Sequence, residues 1–175
     1  MKQVPDIIDY DLKILFIGFN PGLRSAATGH HFAGYSNKFW KLLAAAGLTP
    51  YRFRPEEDRA LLAVGLGVTN IVARPSRAAA EITKAEYQAG KEILAAKLSL
   101  YRPRLACFAG VGVYKEFAGR SNIKCGRQPV PTVAGVTDFV VPSPSGLTRI
   151  VFAEQLAYYQ ELARLLACST QLEER

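Results

Sequence analysis

The sequence is poor in the residues that build metal and redox sites. It has three cysteines and two histidines among 175 residues. Cys107, Cys125 and Cys168 are odd in number and widely separated, with no CxxC or clustered Cys/His spacing. That pattern argues against structural zinc and iron–sulfur centres, and no metal is expected. Nor does any stretch approach the roughly 20 apolar residues that a membrane span requires, so no membrane partner is expected. The opening segment MKQVPDIIDYD has no basic region leading into an apolar run. The expected location is therefore the cytoplasm, beside the nucleoid in a prokaryote. Internal repeats, low-complexity tracts and linkers are absent too. One domain spanning residues 1–175, with an ordered core over about 10–167, is expected.

What the chain does have is apolar material and positive charge. Hydrophobic residues make up 49% of it, which argues for a substantial core and against disorder. A net charge of +7 favours polyanionic partners such as nucleic acid.

Leu12 to Gly18 is a short, nearly continuous apolar run, as suits a strand buried on both faces of a sheet. Leu23 to Tyr35 reads as a polar loop without periodicity. A helix is expected from near Ser36, carrying Phe39, Trp40, Leu42 and Leu43 and stopping at Gly47. Glu56 to Val64 reads as a helix and Val68 to Val72 as a strand. Thr83-Lys84-Ala85-Glu86 is a capping box opening a helix to about Leu100. Leu105 to Ala109 is a second apolar strand, with Cys107 as a small core residue. A short helix around Tyr114 to Phe117 follows. Val130 to Val141 reads as two strands joined at Gly135, and a last helix runs from about Phe152 to Ala167. Alternating elements of these lengths imply an α/β domain with a mostly parallel sheet covered on both faces.

Ligands collect at the carboxyl ends of such strands. Two stiff loops lie there: Gly18-Phe19-Asn20-Pro21-Gly22 after the first strand, and Pro142 to Arg149 after the last. In the first, Pro21 fixes a dihedral and Asn20 offers an amide oxygen and an amide NH2. From spacing alone, Asn20 is either a turn cap or a functional group. The loop fails the GxGxxG pattern, so no dinucleotide site is implied, and no cofactor is expected. In the second loop, Leu147 beside Arg149 suits a wedge that enters a base stack while a cation holds the phosphate backbone. A surface turn with Leu147 tucked into the core is the other reading.

The stretch GFNPGLRSAATGHHFAGYSNKFWKLLAAAGL, Gly18 to Leu48, resembles the signature of the mismatch-specific uracil/thymine-DNA glycosylase family within the uracil-DNA glycosylase superfamily. The resemblance continues through GVTNIVARPS (Gly67 to Ser76), Glu86 to Gly110, GRQP (Gly126 to Pro129) and PSPSGLTR (Pro142 to Arg149). It implies a three-layer α/β/α sandwich and hydrolysis of the bond between a base and deoxyribose. The target nucleotide is flipped from the duplex into a pocket. It further implies that Asn20 positions the attacking water, that backbone around Gly18 and Phe19 bonds the base, and that Phe32 stacks on it. Leu147 becomes the wedge, with Ser145, Gly146, Thr148 and Arg149 beside it on the opposite strand. Ser143 and Thr148 stand at positions that vary within the family. Ser25 matches a position where serine accompanies uracil preference over thymine. An asparagine in place of a carboxylate, with no histidine in the second loop, implies a modest catalyst relying on leaving-group quality.

The resemblance places His31 at the pocket edge and Asn70 at its lining or mouth. A loop-structural role for the histidines and a strand cap for Asn70 stay open. Adjacent His30 and His31 make a poor metal pair. Arg24, Lys38, Arg74 and Arg77 are candidate phosphate contacts or solvated charges. Trp40 reads as core. The expected partner is double-stranded DNA with mismatched or damaged bases, the expected state a monomer, and no lysine nucleophile is indicated. Two other functions remain: a reader that binds lesions without cutting, and a glycosylase retuned to hypoxanthine or oxidised pyrimidines through Arg24 to Tyr35.

Overall fold

The apolar runs do form the centre of the molecule. The computed structural model describes residues 3–173. Strand β1 (Ile14–Gly18) is flanked by β2 (Leu66–Asn70) and β3 (Leu105–Ala109), both parallel to it. On the far side of β3 lies β5 (Thr137–Val141), also parallel, and β4 (Gly126–Arg127) pairs antiparallel on the outer edge. The order is β2-β1-β3-β5-β4. All five residues of β1 and of β3 are buried, as an inner strand with both faces covered must be.

Alternate side chains divide between two layers because strand side chains point to opposite faces. Ile14 and Phe16 pack with Phe39, Leu42 and Leu43 of α2 (Phe39–Ala45) and with Tyr159 and Leu162 of α5 (Phe152–Glu173). Leu15 and Ile17 pack with Leu94 and Leu98 of α3 (Lys84–Tyr101) and with Val113 and Phe117 of α4 (Val111–Ala118). The result is the three-layer α/β/α arrangement. At about 1.5–3 kcal/mol for each large side chain buried, these two layers dominate the stability of the sheet. The capping box forms at α3, with the Glu86 N–H donating to Thr83 Oγ1 at 3.2 Å and the Thr83 N–H to Glu86 Oε2 at 2.8 Å.

Four expectations need correction. Leu23 to Tyr35 is not all loop, because Leu23–Thr28 forms helix α1. It buries only Ser25 and Ala26, so it leaves no apolar stripe in the sequence. The segment Pro55–Val64 is a 3-10 helix rather than an α-helix, ending at Gly65 in the left-handed region. Strand β2 starts and ends before Val68 and Val72, in register with β1. Of the two strands expected over Val130 to Val141, only β5 forms. Pro131 supplies no N–H for a ladder, and Thr132 instead donates its N–H to the buried Asp138 carboxylate at 2.9 Å.

Candidate active site

The parallel pairing of β1 with β2 brings two loops together at the carboxyl end of the sheet. Gly18 and Phe19 accept from the N–H groups of Ile71 and Val72 at 2.9 Å each, and Pro21 accepts from Ser76 at 3.2 Å. Residues 18–22 are thereby zipped to residues 71–76. Asn20 sits in the middle of this zipper, half-buried. Its Nδ2 donates to the Arg74 carbonyl at 2.8 Å and to Ser76 Oγ at 2.7 Å. Ser76 Oγ sends its own hydrogen to the Ala78 carbonyl at 2.8 Å, so toward Asn20 it can only accept. A flipped amide would set Oδ1 against the Arg74 carbonyl oxygen. The amide is therefore fixed one way round, with Oδ1 left as a free acceptor.

A cleft of about 450 Å³ opens at this point, lined on one side by Gly18 to Ser25 and on others by Phe32, Asn70, Ser143 and Leu147. Gly18 forms its floor: a Cβ there would stand 2.8 Å from Asn70 Oδ1 and 4.0 Å from the Phe32 ring. Phe32 is held by stacking on Phe39, centroids 3.9 Å apart at 23°. Its backbone is left-handed, φ 49°, which is costly for a side chain this large. Ser25 also lines the cleft, but its buried Oγ accepts from the Ala33 N–H at 3.1 Å and so shapes the loop as well.

The second loop is braced from three directions. Lys38 donates its N–H to the Pro144 carbonyl at 2.8 Å, and Gln155 Nε2 donates to the Ser143 carbonyl at 2.8 Å. Gly146 lies directly against Ser36, where a Cβ would overlap its Cβ and Oγ. Within the loop, Ser143 Oγ accepts from the Ser145 N–H, Ser145 Oγ from the Leu147 N–H and the Ser145 carbonyl from Thr148. Leu147 stands 92% exposed at the tip of this closed turn, so it is not tucked into the core. Arg149 is exposed beside it.

The remaining expected residues divide. His31 lines the cleft, yet its ring is turned to Pro5, with Nε2 donating to that carbonyl at 2.8 Å. The N–H of His31 donates to the buried Asp58 carboxylate at 3.0 Å. Burial holds the His31 ring below its ordinary pKa, outweighing the Pro5 bond and Asp58, so the ring is neutral near pH 7. Arg74 is not a free cation. It is paired with both Glu86 carboxylate oxygens and donates to the Glu81 carbonyl at 3.0 Å. That pairing, helped by the Thr83 N–H, pulls Glu86 down to about 2. Arg24 and Arg77 both reach the cleft wall. Cys107 is wholly buried, and burial pushes its thiol well up, as befits an inert core residue.

Ser76 was not legible as a site residue. Nothing in the run Ala73-Arg74-Pro75-Ser76 marks the serine, and its role depends on pairing with a residue 56 positions away.

Comparison with known proteins agrees with this architecture. The family profile described as the uracil DNA glycosylase superfamily matches residues 5–167. A solution NMR structure of a Methanosarcina acetivorans protein, itself proposed to be a uracil DNA glycosylase, superposes with a TM-score of 0.59. The two are 20% identical, and the match covers 93% of this chain and 98% of that one.

Proposed function

The chain belongs to the uracil DNA glycosylase superfamily, and from that premise we propose that it is a monofunctional glycosylase acting on uracil in G·U-type mismatches. Etheno-type and related damaged pyrimidines fall in the same range. It cleaves the N-glycosidic bond and leaves an abasic site for base excision repair.

The fixed amide of Asn20 carries this reading. With both N–H bonds spent on Arg74 and Ser76, only Oδ1 remains to accept from a water at the cleft. That water adds to C1′ of the deoxyribose as the bond to the base breaks. The electron pair leaves with the base, and the water's proton passes to solvent. An amide cannot take the proton, so the enzyme depends on a base that departs readily as an anion and on polar groups near Gly18 and Asn70 that receive it. Phe32 offers a face to the flipped base, and Leu147 fills the space that the base vacates. Ser25, with its hydroxyl at the cleft wall, favours uracil over thymine.

The test is a single-turnover panel of duplexes with G·U, G·T, etheno, hypoxanthine and oxidised pyrimidine lesions. Excision of G·U with negligible G·T is expected. Asn20→Ala is expected to abolish most turnover while still binding the mismatch. Near-normal excision by that variant overturns the assignment.

A further inference from the structure

A second cleft, of about 340 Å³, lies against the first and shares Arg24, Phe32, Gly34 and Asn37 with it. The segment from Phe32 to Asn37 is the partition between the two. A ligand in one cleft is therefore a close neighbour of a ligand in the other.

The walls of this second cleft have a definite chemistry. Arg24, Arg52 and Arg54 line it beside one carboxylate, Glu56, and Arg54 Nε also lies 3.5 Å from the Glu57 carboxylate while its side chain stays 77% exposed. Arg24 is fixed by donating Nε to the Ala33 carbonyl at 2.8 Å, and its guanidinium carbon lies 3.6 Å above the Tyr35 ring centroid. Tyr35 is nevertheless 89% exposed, so its outer face stands open to solvent. Aromatic rings presented in this way, beside arginines, stack bases while the cations hold phosphates. Trp40 lines the same cleft.

We propose that this cleft is a nucleotide subsite, holding the residue that adjoins the flipped one on the same strand. Its base stacks on Tyr35 and its phosphate lies on Arg52 and Arg54. This rests on the glycosylase reading for the identity of the strand, but the ligand chemistry, a planar base carrying a phosphate, is set by the cleft itself.

Trp40 is the only tryptophan in the chain, so its emission reports directly on occupancy. The full chain is titrated with a 5′-phosphorylated thymidine dinucleotide, with thymidine, with thymidine monophosphate and with inorganic phosphate. A saturable change is expected with the dinucleotide and with the monophosphate, each about tenfold tighter than with thymidine or inorganic phosphate. Tyr35→Ala and the double variant Arg52→Gln/Arg54→Gln should each lose it while keeping the native circular dichroism. In excision assays, trimming the flanking nucleotide from one side of a uracil strand should raise KM in the native chain with kcat unchanged. Tyr35→Ala should abolish that difference. Emission changes unaltered in both variants, or a trimming effect that survives Tyr35→Ala, overturn the proposal. Thymidine or inorganic phosphate binding as tightly as the monophosphate overturns the base-plus-phosphate assignment, and an absent trimming effect in the native chain overturns the strand assignment. Should the native chain release no base from any strand, the proposed activity fails, while the titration still decides the cleft.

Discussion

Asn20 Nδ2 and Ser76 Oγ are 2.7 Å apart, and the serine hydrogen is committed elsewhere. This hydroxyl and the Arg74 carbonyl together dictate which end of the amide faces the cleft. Ser76→Ala removes the hydroxyl and leaves only the Arg74 carbonyl. Single-turnover excision should fall about tenfold, the equivalent of about 1.4 kcal/mol, with mismatch affinity little changed. Asn20→Asp should not simply improve the catalyst. Its carboxylate would face the Arg74 carbonyl, which offers no proton, so its pKa rises and excision should climb with pH across that value. A flat pH–rate profile for Asn20→Asp would contradict this account of the site.

Gly146 tests the bracing of the exposed loop. In Gly146→Ala the new methyl overlaps Ser36, and the loop has to move. Excision from duplex DNA should drop at least about tenfold, with a smaller loss on single-stranded uracil, where no base needs replacing. Adding Ser36→Gly should restore part of the duplex rate. Equal losses on both substrates would show that Leu147 is not the element displaced.

Arg149 and Arg74 should behave differently in salt titrations of DNA affinity. Arg149→Gln should lower the slope of log affinity against log salt by about one, because a phosphate contact is lost. Arg74→Gln should leave the slope alone and instead lower the thermal midpoint, since its guanidinium is occupied by Glu86 and the Glu81 carbonyl.

His31 should make the protein acid-sensitive. A neutral ring whose folded pKa lies below the ordinary 6.5 resists a proton that the unfolded chain accepts. Its contribution is complete above 6.5 and is lost as pH falls from there toward the folded value. Between about pH 7.5 and about pH 5.5, the thermal midpoint should fall more in the native chain than in His31→Gln, which keeps an N–H for Pro5. Parallel midpoint curves would remove His31 from the account.

Gly90 gives a packing test inside α3. Alanine is the better helix former by about 1 kcal/mol. Here, however, a Cβ would overlap the Ile71 carbonyl, on the chain that leaves β2 for the site. Overpacking of about 1–3 kcal/mol should win, so Gly90→Ala should lower the denaturation midpoint.

The parts of the fold that were legible are those written in contiguous residues. Leu105 to Ala109 is one uninterrupted apolar run, and its strand has those limits. Thr83 and Glu86 specify a cap across three positions, and the cap forms. Helix α1 was hidden because it buries a serine and an alanine. Asn20 could be singled out because Pro21, Gly18 and Gly22 surround it, but its orientation depends on Arg74 and Ser76, reached only through the β1–β2 pairing. Arg74 shows the converse: its sequence reads as an available cation, and only the position of Glu86 on the next helix reveals that it is engaged.

The closed turn beneath Leu147 has a kinetic meaning. A probe already extended and internally bonded needs no rearrangement of the protein before it meets a base pair. If Leu147 is the wedge proposed above, the rate of inspection along a duplex is governed by how often each pair opens of its own accord. Weakly paired positions would then announce themselves to such a probe, and well-paired ones would go by undisturbed.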